Sequence, residues 1–303
     1  MKTPEYPAWL SLTGRKILWF PLTRLILALA FQVAFIGMTL TVYSLIFPAF
    51  SRSGSLTEDF LRMALAVIAS LAGYALYCRL IENRGMHELR IRRMLRQAGI
   101  GILIGAGFIS LIILIMAVFG GYEFRGFNPA SALLPILIMS LRAGVIEEVI
   151  SRAIIFRITE EGTGTWISVA ISALIFGFLH IWNANATILS CLSIALTAGV
   201  ILALLYVLTS QLWAPIFMHI AWNFTLGGVY GAPVSGSEPG GLINAVMDGP
   251  EWLTGGPFGP EASVITIAIF VLFGIYLTIR VIKKSAYINP AWKKTDDGNQ
   301  ISQ

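Results

Sequence analysis

The chain of 303 residues is 56% hydrophobic and only 12% charged, with a formal net charge of +5. Soluble domains carry about twice that share of charge, and polar residues this scarce do not cover a soluble surface. The composition therefore excludes an ordinary soluble protein. Because the basic residues lie mostly at the ends of apolar runs, it also argues against a partner made of nucleic acid.

The N-terminal segment and the cysteines carry no targeting or redox signal. Residues 1–20 contain no short apolar stretch that ends in a small-residue cleavage site, so we expect this segment to be retained. Cys78 and Cys191 lie inside apolar segments far apart in sequence. They form neither a disulfide framework nor a zinc-type CxxC pair, and they indicate no compartment.

Eight apolar segments are long enough to cross a bilayer, for which a helix needs about 20 mainly apolar residues. Backbone groups cannot remain unpaired in hydrocarbon, and long uninterrupted runs favour helices over a β-barrel. We therefore predict an all-α polytopic membrane protein with about eight transmembrane helices. The segments are 25–47, 60–81, 98–119, 131–157, 165–182, 186–208, 211–230 and 262–282.

Charged residues in the predicted loops indicate the orientation. Lys and Arg concentrate near the N-terminus, in segment 83–97 and in the tail from Arg280 to Lys294, whereas loop 231–261 has acidic residues and no basic ones. Because cytoplasmic loops carry the excess of Lys and Arg, we expect both termini in the cytoplasm and the protein in the cell membrane. Loop 231–261, rich in Gly and Pro, is predicted to be an irregular outer loop. Segment 83–97 is predicted to be a basic helical extension against the anionic inner leaflet.

Ionisable side chains inside the membrane portion are concentrated in three predicted helices. Such groups are expensive in hydrocarbon and usually functional. The fourth helix contains GVIEEVISRAIIF, the fifth SALIFGFLHI and the seventh WAPIFMHIAWNF. These stretches make Glu147, Glu148, Arg152, His180, His219 and Asn223 the candidate site residues, with Arg142 as a further counter-charge.

Helical spacing predicts which of these side chains act together. Residues four apart share a helix face, so Glu148 can pair with Arg152, and His219 with Asn223. Glu147 is turned by about 100° around the helix from Glu148. If Arg152 neutralises Glu148, Glu147 is free for chemistry.

The fourth and fifth helices are predicted to form a hairpin that turns near residues 162–164. Glu147 and His180 then lie at the same depth, roughly 24–26 Å from the turn. A carboxylate and an imidazole at one depth can hold a water molecule and remove its proton. If Arg157 marks the membrane boundary, this pair lies nearer the cytoplasmic end.

Three motifs occur in order along the chain: EExxxR at Glu147, Glu148 and Arg152, FxxxH at Phe176 and His180, and HxxxN at His219 and Asn223. Together with the phrases SALIFGFLH and LWAPIFMHIAWN, they resemble the CAAX-endopeptidase-like intramembrane proteases, also called the CPBP or Abi family. Ala153 replaces a glycine often found after the motif arginine. The resemblance covers residues 131–230. It suggests a transmembrane region at 1–130, a catalytic core at 131–230, and an outer loop, last helix and basic tail at 231–303.

The resemblance implies a role for each residue. Glu147 would be the general base, and His180 would position the water. His219 and Asn223 would stabilise the oxyanion of the tetrahedral intermediate. Glu148 and Arg152 would hold the fourth helix and tune Glu147, and Phe176 would pack against the cavity. The substrate would be a membrane-associated peptide or protein, in CAAX-type processing or in a role like bacteriocin immunity.

Two alternatives stay open at this point. Glu147, Glu148, His180 and His219 include enough ligand types for zinc, but there is no HExxH and no helix supplies two histidines, so we favour a reaction without a cofactor. The alternatives to a peptidase are a proton- or ion-coupled transporter and a catalytically silent membrane scaffold. The sequence has no internal repeat, which weighs against the transporter.

Overall fold

The computed structural model describes residues 12–238 and 240–293. Most of the N-terminal segment predicted to be retained, and the end of the basic tail, lie outside this part of the chain. The α-helices are Leu12–Trp19 (α1), Pro21–Ile46 (α2), Leu56–Leu80 (α3), Met94–Val118 (α4), Leu133–Glu148 (α5), Arg157–Thr163 (α6), Thr165–Leu179 (α7), Ile188–Ile194 (α8), Val200–Thr209 (α9), Trp213–Asn223 (α10), Glu251–Thr254 (α11) and Val264–Lys283 (α12).

Three π-helical segments and one small sheet complete the secondary structure. The π-helices Val149–Phe156, Ala195–Gly199 and Phe224–Val229 continue α5, α8 and α10 without a break. Strands β1 (Glu123–Phe127) and β2 (Ile243–Val246) pair antiparallel, with a bulge between Phe124 and Gly126.

Six helical stretches of the described residues are long and apolar enough to cross a membrane: Pro21–Ile46, Leu56–Leu80, His87–Val118, Thr165–Trp182, Ile188–Thr209 and Val264–Lys283. The predicted all-α membrane fold is thus confirmed, but the count of eight is not. Segments 131–157 and 211–230 are helical too, yet they differ from the other six. The first carries five charged residues between Arg142 and Arg157. The second consists of an 11-residue α-helix and a 6-residue π-helix.

Helix α10 lies in the centre of the bundle, packed closely against α4. A Cβ atom added at Gly101 or Gly105 of α4 would lie 2.5 Å from the carbonyl oxygen of Ala214 or Met218. Only glycine permits two helix backbones to approach this closely, and small residues favour such contacts in membranes. This packing holds His219 and Asn223 in the interior, where both are buried.

Five charged side chains form an ion cluster at one end of the bundle: Arg24 of α2, Glu82 and Arg84 after α3, and Arg157 and Glu161 of α6. Arg157 Nη2 lies 2.8 Å from the Glu82 carboxylate, and Arg24 donates to both Glu82 and Glu161. Burial alone would raise the pKa of Glu82, but the charges of Arg157, Arg84 and Arg24 lower it to about 2. The cluster therefore ties α2, α3 and α6 together.

The fourth predicted helix does not end at Arg157, the residue taken as the membrane boundary. The helix continues beyond it to Thr163, and its guanidinium lies within the ion cluster rather than in a solvated loop. Glu147 consequently lies near the middle of the helical stretch 133–163, about 24 Å from its end at Thr163. That Glu147 lies nearer the cytoplasmic end stays a prediction.

Segment 83–97 is not one helical extension. It forms two short 3-10 turns, His87–Leu89 and Ile91–Arg93, before α4 begins at Met94. The linker between α9 and α10 binds this backbone, since Leu212 N donates to the carbonyl of Glu88 at 2.8 Å. Such hydrogen bonds to another segment take the place of the backbone hydrogen bonds that a continuous helix would form.

Loop 231–261 is more ordered than predicted, because it contains β2 and α11. Strand β2 pairs with β1, which lies more than 100 residues earlier in the chain. Such a distant pairing leaves no local pattern in the sequence. The loop also folds back over the bundle, and its residues 234–237 and Glu261 line the cavity described below.

Candidate functional site

A cavity of about 460 Å³ lies between α5, α7 and α10, beneath loop 231–261. Four of the six candidate residues line it: Glu147, His180, His219 and Asn223. Glu148 and Arg152 lie behind its wall, with fully buried side chains. The Glu147 side chain is 39% exposed and that of Glu148 is 0% exposed, so the adjacent carboxylates have different surroundings.

Arg152 pairs with Glu148, as their four-residue spacing predicts. Its Nη1 donates to Glu148 Oε1 at 3.0 Å, and its Nη2 donates to the carbonyl of Gly199 at 3.0 Å. The arginine thus joins the end of α5 to the π-helix Ala195–Gly199. Both charges are withdrawn from water, so each depends on the other for compensation.

His219 makes a contact that its sequence spacing does not predict. Its Nδ1 lies 3.0 Å from Glu148 Oε1, and its Nε2 lies 4.0 Å from Glu147 Oε2. A carboxylate only accepts hydrogen bonds, so Nδ1 carries the proton in this contact. Burial and the charge of Arg152 oppose a second proton on the ring, whereas the two nearby carboxylates favour it.

His180 has a defined tautomer for a similar reason. Its Nδ1 lies 2.8 Å from the backbone carbonyl of Phe176, one turn earlier in α7. Because a carbonyl only accepts, Nδ1 is protonated, and the Nε2 of the neutral ring is left as an acceptor. An acceptor nitrogen suits a ring that positions a water molecule.

Phe176 is the packing residue that links these groups. Its ring contacts that of His180 edge-on at 5.0 Å and that of His219 at 5.9 Å. The guanidinium of Arg152 lies 4.5 Å from its centroid, a cation–π contact. One buried ring therefore limits the orientation of three polar side chains.

The three π-helical segments all occur at the site. One begins directly after Glu148 and contains Arg152, one supplies the Gly199 carbonyl, and one begins directly after Asn223. π-Helices are rare and are frequent at functional sites, because the wider turn redirects side chains. The sequence contains no recognisable signal for them.

Glu261 is a cavity residue that the sequence analysis placed in the outer loop. Its carboxylate accepts hydrogen bonds from Trp222 Nε1 at 2.9 Å and from Ser235 Oγ at 2.9 Å, and also from the Ser235 backbone. Burial raises the pKa of Glu261, while the Ser235 hydrogen bonds oppose this rise. In sequence, nothing separates Glu261 from the other acidic residues of the loop.

Arg142 lines the same cavity but does not act as the predicted counter-charge. Among the described residues it forms no hydrogen bond or ion pair, and its side chain is exposed. It lies on α5 between Glu147 and the start of the helix, toward the side covered by loop 231–261.

The four possible zinc ligands are not gathered into one metal site. Glu148 Oε1 is engaged by Arg152 and His219, so this carboxylate oxygen cannot also bind a metal. Within residues 12–238 and 240–293, no group of three or more His, Cys, Asp or Glu side chains is placed to hold a metal ion. We therefore derive no reaction step through a metal, and a reaction without a cofactor stays a prediction.

A second cavity of about 180 Å³ adjoins the first. The smaller cavity lies between the continuation of α5 and α7, where Ile150, Ser151 and Leu179 line it. The two cavities share Glu147, Phe176, His180 and Asn183. Leu179 is exposed on the outside of the bundle. Glu147 and His180 thus stand between the two cavities.

A family model and one curated relative are similar to the part of the chain that contains the site. Residues 129–225 match the family model described as "Type II CAAX prenyl endopeptidase Rce1-like". A curated protein of Bacillus subtilis (strain 168), named "Putative membrane peptidase YdiL", is 34% identical over 90 residues, which cover 30% of this chain and 34% of that protein. The chain therefore spans about a third of the length of the curated relative it matches. No solved structure gives a significant match. The resemblance indicated by the three motifs is thus confirmed over residues 129–225, which match the model of the Rce1-like CAAX prenyl endopeptidases.

Proposed function

We propose that the protein is an intramembrane endopeptidase that hydrolyses a peptide bond in a membrane-associated peptide or protein. The observation that carries the proposal is the single cavity that Glu147, His180, His219 and Asn223 line together from three helices. The match of residues 129–225 and the name of the Bacillus relative support it. The catalytic core would be residues 131–230, and the substrate would serve CAAX-type processing or a role like bacteriocin immunity.

Glu147 is the general base in this proposal. It is the less buried of the two adjacent carboxylates, and it is not engaged by Arg152. It would take a proton from water as the oxygen attacks the substrate carbonyl carbon. His180 Nε2, an acceptor in the neutral ring, would accept the second hydrogen of the same water and so aim its lone pair.

His219 and Asn223 would stabilise the negative charge that develops on the carbonyl oxygen. Asn223 has an amide NH₂ group without a partner among the described residues, and its side chain lines the cavity. His219 donates from Nε2 only as an imidazolium, because Nδ1 already carries a proton for Glu148. Glu148 would therefore act indirectly, by stabilising that imidazolium, and Arg152 would hold Glu148 in place.

Collapse of the tetrahedral intermediate would break the carbon–nitrogen bond. The leaving amine takes up the proton that Glu147 received from water, which restores the carboxylate. The products are one new carboxyl terminus and one new amino terminus. The balance requires water alone as the second reactant.

We further propose that both termini are cytoplasmic and that the protein lies in the cell membrane. Arg90, Arg92, Arg93 and Arg96 are exposed at the start of α4, at the end of the bundle opposite loop 231–261. Since Lys and Arg favour the cytoplasmic side, loop 231–261 and the cavity beneath it would face outward. Substrate would then approach the site from outside the cell or from the outer leaflet.

Cleavage of a peptide library by the purified full chain in lipid nanodiscs tests the proposed activity. Wild-type protein should cleave internally quenched peptides, and Glu147→Gln should abolish cleavage without loss of thermal stability. Glu251→Gln, which removes an exposed carboxylate of the outer loop, is the matched control and should be fully active. Proton flux in liposomes without cleavage would favour the transporter, and neither activity would favour the silent scaffold.

A further inference from the structure

Arg142 is a charged group of the cavity that the reaction scheme does not use. It is the tenth residue of the helical stretch 133–163, within a segment predicted to cross the membrane. A cation at this position needs water or an anion nearby, because its charge is expensive in hydrocarbon. The described residues supply no anion, since no carboxylate lies within ion-pair distance of Arg142.

The carboxylates of the cavity are accounted for without Arg142. Glu261 is satisfied by Trp222 and Ser235, and Glu147 stands 4.0 Å from His219 Nε2. Arg142 and Glu147 also lie at opposite edges of the α5 face that lines the cavity, since five residues correspond to about 140° around a helix. Arg142 therefore offers a free guanidinium to any molecule that enters.

The helix geometry sets the distance between this guanidinium and the reacting bond. Arg142 and Glu147 are separated by about 7.5 Å along the helix axis. An extended peptide advances about 3.3 Å per residue, so this separation corresponds to about two residues of substrate. A guanidinium binds a carboxylate through two parallel hydrogen bonds, a geometry that suits a planar oxyacid better than any neutral group.

We propose that Arg142 binds a carboxylate of the substrate, two or three residues from the scissile bond, and so makes the enzyme selective for anionic peptides. The proposal rests on the proposed peptidase function. The carboxylate has two possible sources, the free C-terminus of the substrate or the side chain of an Asp or Glu residue. Both present the same planar group, and matched peptides with and without each carboxylate distinguish them.

Matched peptide libraries measure the selectivity. One library ends in a free carboxylate and contains internal Asp and Glu, one is amidated at the C-terminus, and one has Asn and Gln in place of the acids. We expect wild-type protein to show a KM about tenfold lower for whichever acid it selects, the size of effect given by one charge-assisted bidentate contact. Selection of the free carboxylate identifies the C-terminus, and selection of the internal acid identifies the side chain.

Arg142→Gln should raise KM for the acidic peptide to that of its neutral partner, with kcat unchanged, and Arg142→Lys should restore part of the difference. Because Arg142 has no partner in the described residues, its replacement should leave the melting temperature unchanged. Arg125→Gln is the matched control, since Arg125 is exposed on β1 outside the cavity and pairs with Glu123. An equal preference for acid in wild type and Arg142→Gln would overturn the proposal.

Binding measured without turnover separates this proposal from the proposed activity. Fluorescence anisotropy of labelled forms of these peptides should be measured with Glu147→Gln protein. The Kd should be about tenfold lower for the acidic peptide than for its neutral partner. Adding Arg142→Gln to this protein should remove the difference in Kd. Acid-selective binding without cleavage by wild type would refute the peptidase and leave the carboxylate site standing. Cleavage without any effect of Arg142 would refute the carboxylate site alone. If Arg142→Gln changes binding only when anionic lipids are present, Arg142 binds a lipid headgroup phosphate. That result would also refute the proposed carboxylate site.

Discussion

His219 donates a hydrogen bond from Nδ1 to Glu148 Oε1 across 3.0 Å, which connects α10 to the end of α5. The same carboxylate oxygen accepts from Arg152 Nη1 at 3.0 Å. Glu148 is therefore shared between a residue of its own helix and one 71 positions later in the chain. This sharing makes the buried Glu148–Arg152 pair part of the site.

Removal of Arg152 should destabilise the protein strongly. Arg152→Ala leaves Glu148 buried without its cation, a change that costs about 3–5 kcal/mol in other buried pairs. We expect a lower melting temperature in detergent together with loss of cleavage. The double variant Glu148→Gln/Arg152→Met removes both charges, so it should recover most of the stability while it remains inactive. A double variant no more stable than Arg152→Ala would show that packing, and not the unpaired charge, is responsible.

Asn223 should act on the transition state more than on substrate binding. Asn223→Ala removes one proposed oxyanion donor, and loss of one such donor lowers turnover by about 10²–10³-fold. We expect kcat to fall by roughly that factor with little change in KM, measured by steady-state cleavage. Asn244→Ala, in the exposed strand β2, is the control. A rise in KM with kcat retained would instead place Asn223 in ground-state binding.

Metal removal should leave the activity largely intact. Zinc would lower the pKa of a bound water to about 7, and it needs protein ligands at about 2.0–2.2 Å. Glu148 is engaged by Arg152 and His219, and no group of three or more ligands is gathered among the described residues, so we expect chelator-treated protein to keep most of its turnover. Elemental analysis must accompany the assay, since a buried ion can escape a chelator. Stoichiometric zinc that is lost and restored together with activity would refute the prediction.

Stability should depend on acid pH through the ion cluster. The pKa of Glu82 is lowered to about 2 in the folded protein from an ordinary value of 4.5, because burial is outweighed by Arg157, Arg84 and Arg24. A lowered folded pKa gives stability that is present above about pH 4.5 and is lost as the pH falls toward 2. Melting temperatures in detergent should thus be constant from neutral pH to about 5 and then decline. In Glu82→Gln protein the decline should be smaller; an identical decline would show that other carboxylates cause it.

Cysteine labelling should determine which side of the membrane the cavity faces. Ser53→Cys, Gly85→Cys and Ser237→Cys each place a thiol at an exposed position, in protein from which Cys78 and Cys191 have been removed. Ser237 lines the cavity mouth, so its label reports directly on substrate access. An impermeant reagent on intact cells should label positions 53 and 237 but not 85. The reverse pattern would place both the cavity and loop 231–261 in the cytoplasm.

The amino-acid sequence by itself determined the fold class and the local pairs. The uninterrupted apolar runs require helices, because hydrocarbon offers no partner for a free backbone group. The four-residue spacing places Glu148 and Arg152 on one helix face, since that relation depends only on the helical repeat. The order of the three motifs was sufficient to indicate the family, which the match at residues 129–225 confirms.

The tertiary structure alone decided the contacts between distant segments. The hydrogen bond from His219 to Glu148, the burial of Arg157 in the ion cluster and the entry of Glu261 into the cavity all join residues from different elements. None has a local signal, because the same side chain is a solvated loop charge or a buried partner depending on what packs against it. The three π-helices likewise have no local signal in the sequence. Their wider turns accommodate the packing of α5, α8 and α10 around the site, which no property of the individual residues encodes.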